Sequence, residues 1–82
     1  MWRDMHNLIK AAPSFYGTGD VEFWLHETFM YLERHQVRSD DMRNHVIIGA
    51  MAGAAREWLG SLSPHDVDKS QLEDVVEALQ AR

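Results

Sequence analysis

Asp20-Val21-Glu22-Phe23-Trp24-Leu25-His26-Glu27-Thr28-Phe29-Met30-Tyr31-Leu32-Glu33-Arg34-His35 is the stretch whose reading decides the fold. Asp20 reads as a helix N-cap, because its carboxylate can accept from the orphan N–H groups of a first turn. Glu22 adds negative charge beside the positive end of the helix dipole. Val21, Trp24, Leu25, Thr28 and Leu32 recur at i, i+3, i+4, i+7 and i+11, the spacing of one helix face. The pattern predicts a helix from Val21 to about His35. At about 100° per residue, Phe23 and Met30 fall on the opposite side. They are seven residues apart, so they stack into a second apolar seam.

The segments on either side read in the same way. Ser39, Asp40 and Asp41 cap a helix over about Asp40 to Met51. Its apolar residues Met42, Val46, Ile47, Ile48, Ala50 and Met51 spread almost all round, which marks a central, buried helix. Gly49 and Gly53 permit close approach of another helix, and Gly53 is a point of break or kink. A third helix, about Ala54 to Leu62, carries Ala54, Ala55, Trp58, Leu59 and Leu62 on one stripe and turns Arg56, Glu57 and Ser61 to water. Ser61 to Lys69, centred on Ser63-Pro64, is a connecting turn. Ser70-Gln71-Leu72-Glu73 reads as a capping box opening a last helix, with Leu72, Val75, Val76 and Leu79 inward.

Upstream, Trp2, Met5, Leu8 and Ile9 have helical spacing. Pro13 biases Ala12 away from the helical region. Ser14-Phe15-Tyr16 then runs extended, its aromatics anchoring the segment. No alternating run is long enough for a strand. The fold expected is all-α: a compact bundle of four core helices over residues 21–82, with an extended or partly helical N-terminal arm over 1–20. Trp24, Leu25, Leu32, Val46, Ala50, Trp58, Leu59, Leu62, Leu72, Val76 and Leu79 are the expected core.

Composition narrows the function classes. Eighty-two residues make one domain, which buries only about 60% of its unfolded surface. There is no cysteine, so neither a disulfide nor a thiolate metal site is available. Net charge is −5, with 13 acidic against 8 basic residues, which disfavours gripping nucleic acid or an anionic membrane. The longest run of low polarity, Val46 to Ala55, falls well short of the roughly 20 residues a membrane span needs. Arg3 and Asp4 precede only a short apolar stretch, so no signal peptide is expected. The location expected is intracellular, in the cytoplasm.

Candidate sites are few. His6, His26, His35, His45 and His65 lie on separate segments, with no His-Glu-x-x-His arrangement, so no metal and no cofactor is expected. Gly17-Thr18-Gly19 lacks the lysine of a phosphate loop, and no nucleophile elbow or catalytic pair is present. Asp40-Asp41 is explained by the helix dipole. No catalysis is expected. The apolar groups around the entry segment and second seam, Phe15, Tyr16, Phe23, Met30 and Trp2, are the candidate protein or peptide contacts. Their structural alternative is that Phe15 or Trp2 folds over the Phe23–Met30 seam and buries it.

The order of these segments resembles a known family. Pro13-Ser14-Phe15-Tyr16-Gly17-Thr18-Gly19-Asp20-Val21-Glu22-Phe23-Trp24-Leu25 is similar to the entry signature of gypsy-type LTR retrotransposon Gag capsid domains. There, Pro-x-Phe-x-Gly leads to an acidic residue and a helix with a Trp-Leu pair. Tyr31-Leu32-Glu33 resembles the end of that helix, and Val37 to Arg43 the next linker and helix start. Ala50-Met51-Ala52-Gly53-Ala54-Ala55-Arg56-Glu57-Trp58 resembles the family's Leu-x-Gly-x-Ala-x-x-Trp pattern, with Met51 in place of the leucine. Ser70 to Arg82 is similar to the final helix but lacks the aromatic often found near its start. The resemblance covers about residues 11–82.

The resemblance implies the N-terminal lobe of a two-lobed capsid protein that self-assembles into a shell, the partner being further copies of itself. Domesticated relatives of the Arc type imply the alternative, an adaptor taking short peptides in a hydrophobic groove. The ending at Arg82 without a C-cap reads as a boundary within a longer protein.

Overall fold

The cap at Asp20 forms as its position predicts. In the computed structural model, which describes residues 5–63, 65 and 67–81, one Asp20 carboxylate oxygen accepts from Glu22 N at 3.0 Å and Phe23 N at 3.2 Å. Helix α2, Val21–Arg34, follows. Its first face is buried through Trp24, Leu25, Thr28 and Leu32, and Val21 is half-buried. Thr28 is tolerated in the core because its hydroxyl donates to Trp24 O at 2.8 Å.

α2 ends in a Schellman motif. Gln36 takes a left-handed φ of 58°. Val37 N donates to Leu32 O at 2.9 Å and Gln36 N to Glu33 O at 3.0 Å. Val37 and Leu32 are both buried, which is the apolar contact that accompanies this stop. Arg43 braces the turn: its Nε donates to Val37 O at 2.7 Å, and its guanidinium pairs with Glu33 at 2.9 Å.

Four further helices lie among the described residues: α1, Met5–Ala11; α3, Asp40–Gly49; α4, Gly53–Ser61; and α5, Leu72–Ala81. Ser39 Oγ caps α3 by accepting from Met42 N at 3.5 Å. α3 is the central element: α1 and α5 both pack on it, and α5 also meets α2. Val46 and Ile47 are fully buried, and Gly49 lets α1 come close, since a Cβ there would lie 2.8 Å from Ile9 Cγ2. Gly53, at φ 53°, breaks the chain between α3 and α4. The architecture is all-α, and among the described residues the only β pairing is an isolated parallel bridge between Phe15 and Met51.

That bridge ties down the N-terminal arm. Phe15 N donates to Ala50 O at 3.0 Å, Ala52 N to Phe15 O at 2.8 Å, and Ala55 N to Tyr16 O at 3.3 Å. Residues 13–17 thus form a strap across the α3–α4 corner. Leu8, Ala12 and Phe15 all enter the main core.

Two expectations need correction. Trp58, Leu62, Leu72 and Val76 are half-buried, not fully inside. They pack against the buried cluster from its edge. The capping box at Ser70 does not form. Ser70 instead donates through both N and Oγ to Asp68, and α5 starts at Leu72. These two bonds, the hydroxyl's first, hold the Asp68 carboxyl below its usual range. The remaining core expectations, Trp24, Leu25, Leu32, Val46, Ala50, Leu59 and Leu79, are buried. Trp2 lies outside the described residues.

Candidate interaction face

The strap decides which aromatics stay available. Extended backbone sends successive side chains to opposite sides. Phe15 therefore points inward and Tyr16 outward, at 3% and 61% exposure. Phe15 stacks on Trp24, ring centroids 5.0 Å apart and planes at 25°. The Trp24 indole N–H donates to Pro13 O at 2.8 Å, so its polar edge holds the strap. Phe15, expected among the contact residues, is thus a core residue. Its N–H and C=O are both used by the bridge, so no strand can add at that residue.

Phe23 and Met30 are different. They are 60% and 52% exposed, on the face of α2 opposite its buried stripe. Phe15 is turned into the core and does not cover them. Beside them is a recess of about 380 Å³, lined by Ala11, Pro13, Phe23, His26, Glu27, Met30, Tyr31 and Arg34. Its back wall is the corner where α1 runs into the strap. Tyr31 fixes that corner by donating its hydroxyl to Leu8 O at 2.7 Å, and its ring meets His35 at 4.5 Å. Sequence reasoning found the seam from its spacing but not Ala11 and Pro13, because nothing local says where the arm lies against α2.

Burial pushes the Tyr31 phenol above its ordinary value of 10.0. The folded state therefore favours the neutral form. The resulting stabilisation is complete below pH 10 and is lost as pH rises through the raised value. An ionised Tyr31 also cannot donate to Leu8. Tyr31→Phe should cost about 1 kcal/mol at neutral pH, and should flatten the fall in urea midpoint above pH 10. An equally steep alkaline fall in the variant would sink this account.

A larger recess, about 460 Å³, lies between α1, α3 and the turn before α5, lined by Ile9, Asp41, Asn44, His45, Ile48, Gly49, Lys69 and Ser70. Its volume exceeds that beside the seam, yet it is the weaker candidate. Asn44 donates to Lys69 O at 2.8 Å and so fastens the turn to α3. Its Oδ1 is buried with no hydrogen-bond partner among the described residues. Among the described residues no three His, Asp or Glu side chains gather as a metal would need, and no helix is long and apolar enough to cross a membrane.

No family model, curated protein or solved structure matches the chain. The functional reading therefore rests on this face and on the ordered sequence pattern.

Proposed function

We propose that the chain is a non-enzymatic assembly module, a capsid-type lobe that packs against copies of itself to build a shell within the cell. The observation that carries this is the exposed Phe23–Met30 seam. A domain of 82 residues has little apolar surface to spare, so two large groups held outside the core are better explained by a partner than by folding. Met30 suits such a surface because its thioether adapts to irregular neighbours. The segment order from Pro13 to Trp58, which resembles capsid lobes of retrotransposon Gag proteins, supports the same reading. The net charge of −5 leaves any RNA contact to another region.

Electron microscopy of the native-length gene product at high concentration tests it. Rings or closed particles are expected. A strictly monomeric product across salt and concentration would defeat the proposal.

The recess beside the seam favours a second reading, an adaptor that seats a short peptide. On either reading, Phe23→Ala and Met30→Ala should weaken the partner contact and leave stability within about 0.5 kcal/mol, as for ordinary surface positions. Calorimetry on the variants checks this. A large drop in melting temperature would place the seam in the core instead.

A further inference from the structure

We infer that the groove between α2, α3 and α5 docks a short basic amphipathic helix, its apolar stripe on Phe29, Leu72 and Val76 and its flanking lysines or arginines on Asp40, Glu73 and Glu77. This contact goes beyond the assembly reading and stands or falls apart from it.

The floor carries the first part. Phe29, Leu72 and Val76 come from two helices, pack against the core cluster and stay half-buried. Together they line one recess of about 360 Å³. Leu72 and Val76 are one turn apart on α5, so the floor runs along that helix. An apolar stripe of an incoming helix is the shape that fits such a floor.

Charge says what the occupant must carry. The charged groups lining the recess are Asp40 from α3 and Glu73 and Glu77 from α5, all exposed carboxylates. No described lysine, arginine or histidine lines it. Asp40 and Glu73 stand in the first turns of their helices, where the dipole accounts for them. Glu77 lies past the first turn, and α5 from Leu72 to Ala81 holds no basic residue to pair with it. It follows Glu73 by four residues, a like-charge spacing that weakens an isolated helix. Folding gives no reason for that repulsion, and a cationic partner relieves it.

The spacing of the carboxylates selects the kind of cation. Among the described residues no three acidic or histidine side chains gather closely enough to hold one metal ion. The three carboxylates therefore take separate positive charges. Glu73 and Glu77 are about 6 Å apart along α5, which matches basic residues four apart on a second helix. A free amine would leave the apolar floor uncovered, whereas a basic amphipathic helix covers the floor and meets the rim together.

The test is a two-dimensional NMR titration of the 82-residue chain with a synthetic helical peptide. The peptide has leucines on one stripe and lysines flanking it, and its control carries glutamate in place of lysine. Saturable shifts centred on Phe29, Leu72 and Val76 are expected with the lysine peptide alone, weakening as salt is raised. Glu77→Lys should weaken binding at least about fivefold, since it turns an attraction into a repulsion. Its melting temperature should hold or rise, because the new lysine pairs with Glu73 one turn away. Glu57→Lys makes the same change of net charge on α4 and should alter binding by less than about twofold. Shifts centred elsewhere, no saturable binding, equal losses from the two variants, or binding of the glutamate peptide would each overturn the inference. Groove shifts that appear on concentrating the chain without peptide would make a second copy the occupant and overturn it too. A chain that builds shells and ignores the peptide refutes this contact alone, and a chain that binds the peptide without building shells refutes only the assembly reading.

Discussion

Phe15→Ala is expected to remove a large share of the folding stability of the domain. The side chain is 3% exposed and stacked on Trp24. Truncating a buried phenylalanine costs about 3–5 kcal/mol, the sum of lost transfer energy and a residual cavity. A chain of this length has only about 4–12 kcal/mol in total. The loss also loosens the strap, since Trp24 then holds Pro13 without a neighbouring ring to fix its own plane. Urea denaturation followed by circular dichroism measures it, and Phe15→Leu should recover part of the loss. A change below about 1 kcal/mol would mean that the strap is not part of the core. The contrast with Phe23→Ala is the point: the same residue type eight positions away should be nearly silent in stability.

Gly17→Ala is the second large effect, and Gly19→Ala is its control. Both glycines have positive φ, 99° and 92°, where an L side chain is strained. They differ in surroundings. A Cβ on Gly17 would lie 2.9 Å from Ala55 N and 3.2 Å from the Ala54 Cβ, whereas one on Gly19 meets nothing within 4 Å. Gly19→Ala should therefore cost only backbone strain, about 1–2 kcal/mol. Gly17→Ala adds a clash with helix backbone, which cannot move without pulling α4 off the strap, for a total of about 3–5 kcal/mol. Thermal unfolding should separate the two by at least about 4 °C. Equal melting temperatures would show that the strap yields freely.

Much of this was legible in the chain. The Asp20 and Ser39 caps and the period of α2 gave its two faces, including the exposed seam, because helix position alone sets which way those side chains point. What was not legible depended on partners distant in sequence. Phe15 and Tyr16 are adjacent aromatics in one extended segment, and only the pairing with Met51 decides which goes in. The stop of α2 carries Gln36 where a glycine would have announced it; arginine bonds from Arg43 and the buried Val37 hold that conformation instead. Ser70 looked like a cap until Asp68, two residues earlier, took its hydroxyl. The face of Trp58 read correctly as apolar, but its depth depended on how many layers the molecule has.

The strap has a consequence for how the protein is made. Phe15 leaves the ribosome about 36 residues before its dock at Met51, a delay of about 2–7 s at ordinary rates of synthesis. Until the α3–α4 corner emerges, Ala12 and Phe15 have nowhere to go, and Trp24 lacks its stacking ring. Until then the nascent segment carries an uncovered apolar surface that a chaperone can meet. Products that stop before Ala55 are expected to keep that surface and to aggregate, while a chain that has passed the corner hides it.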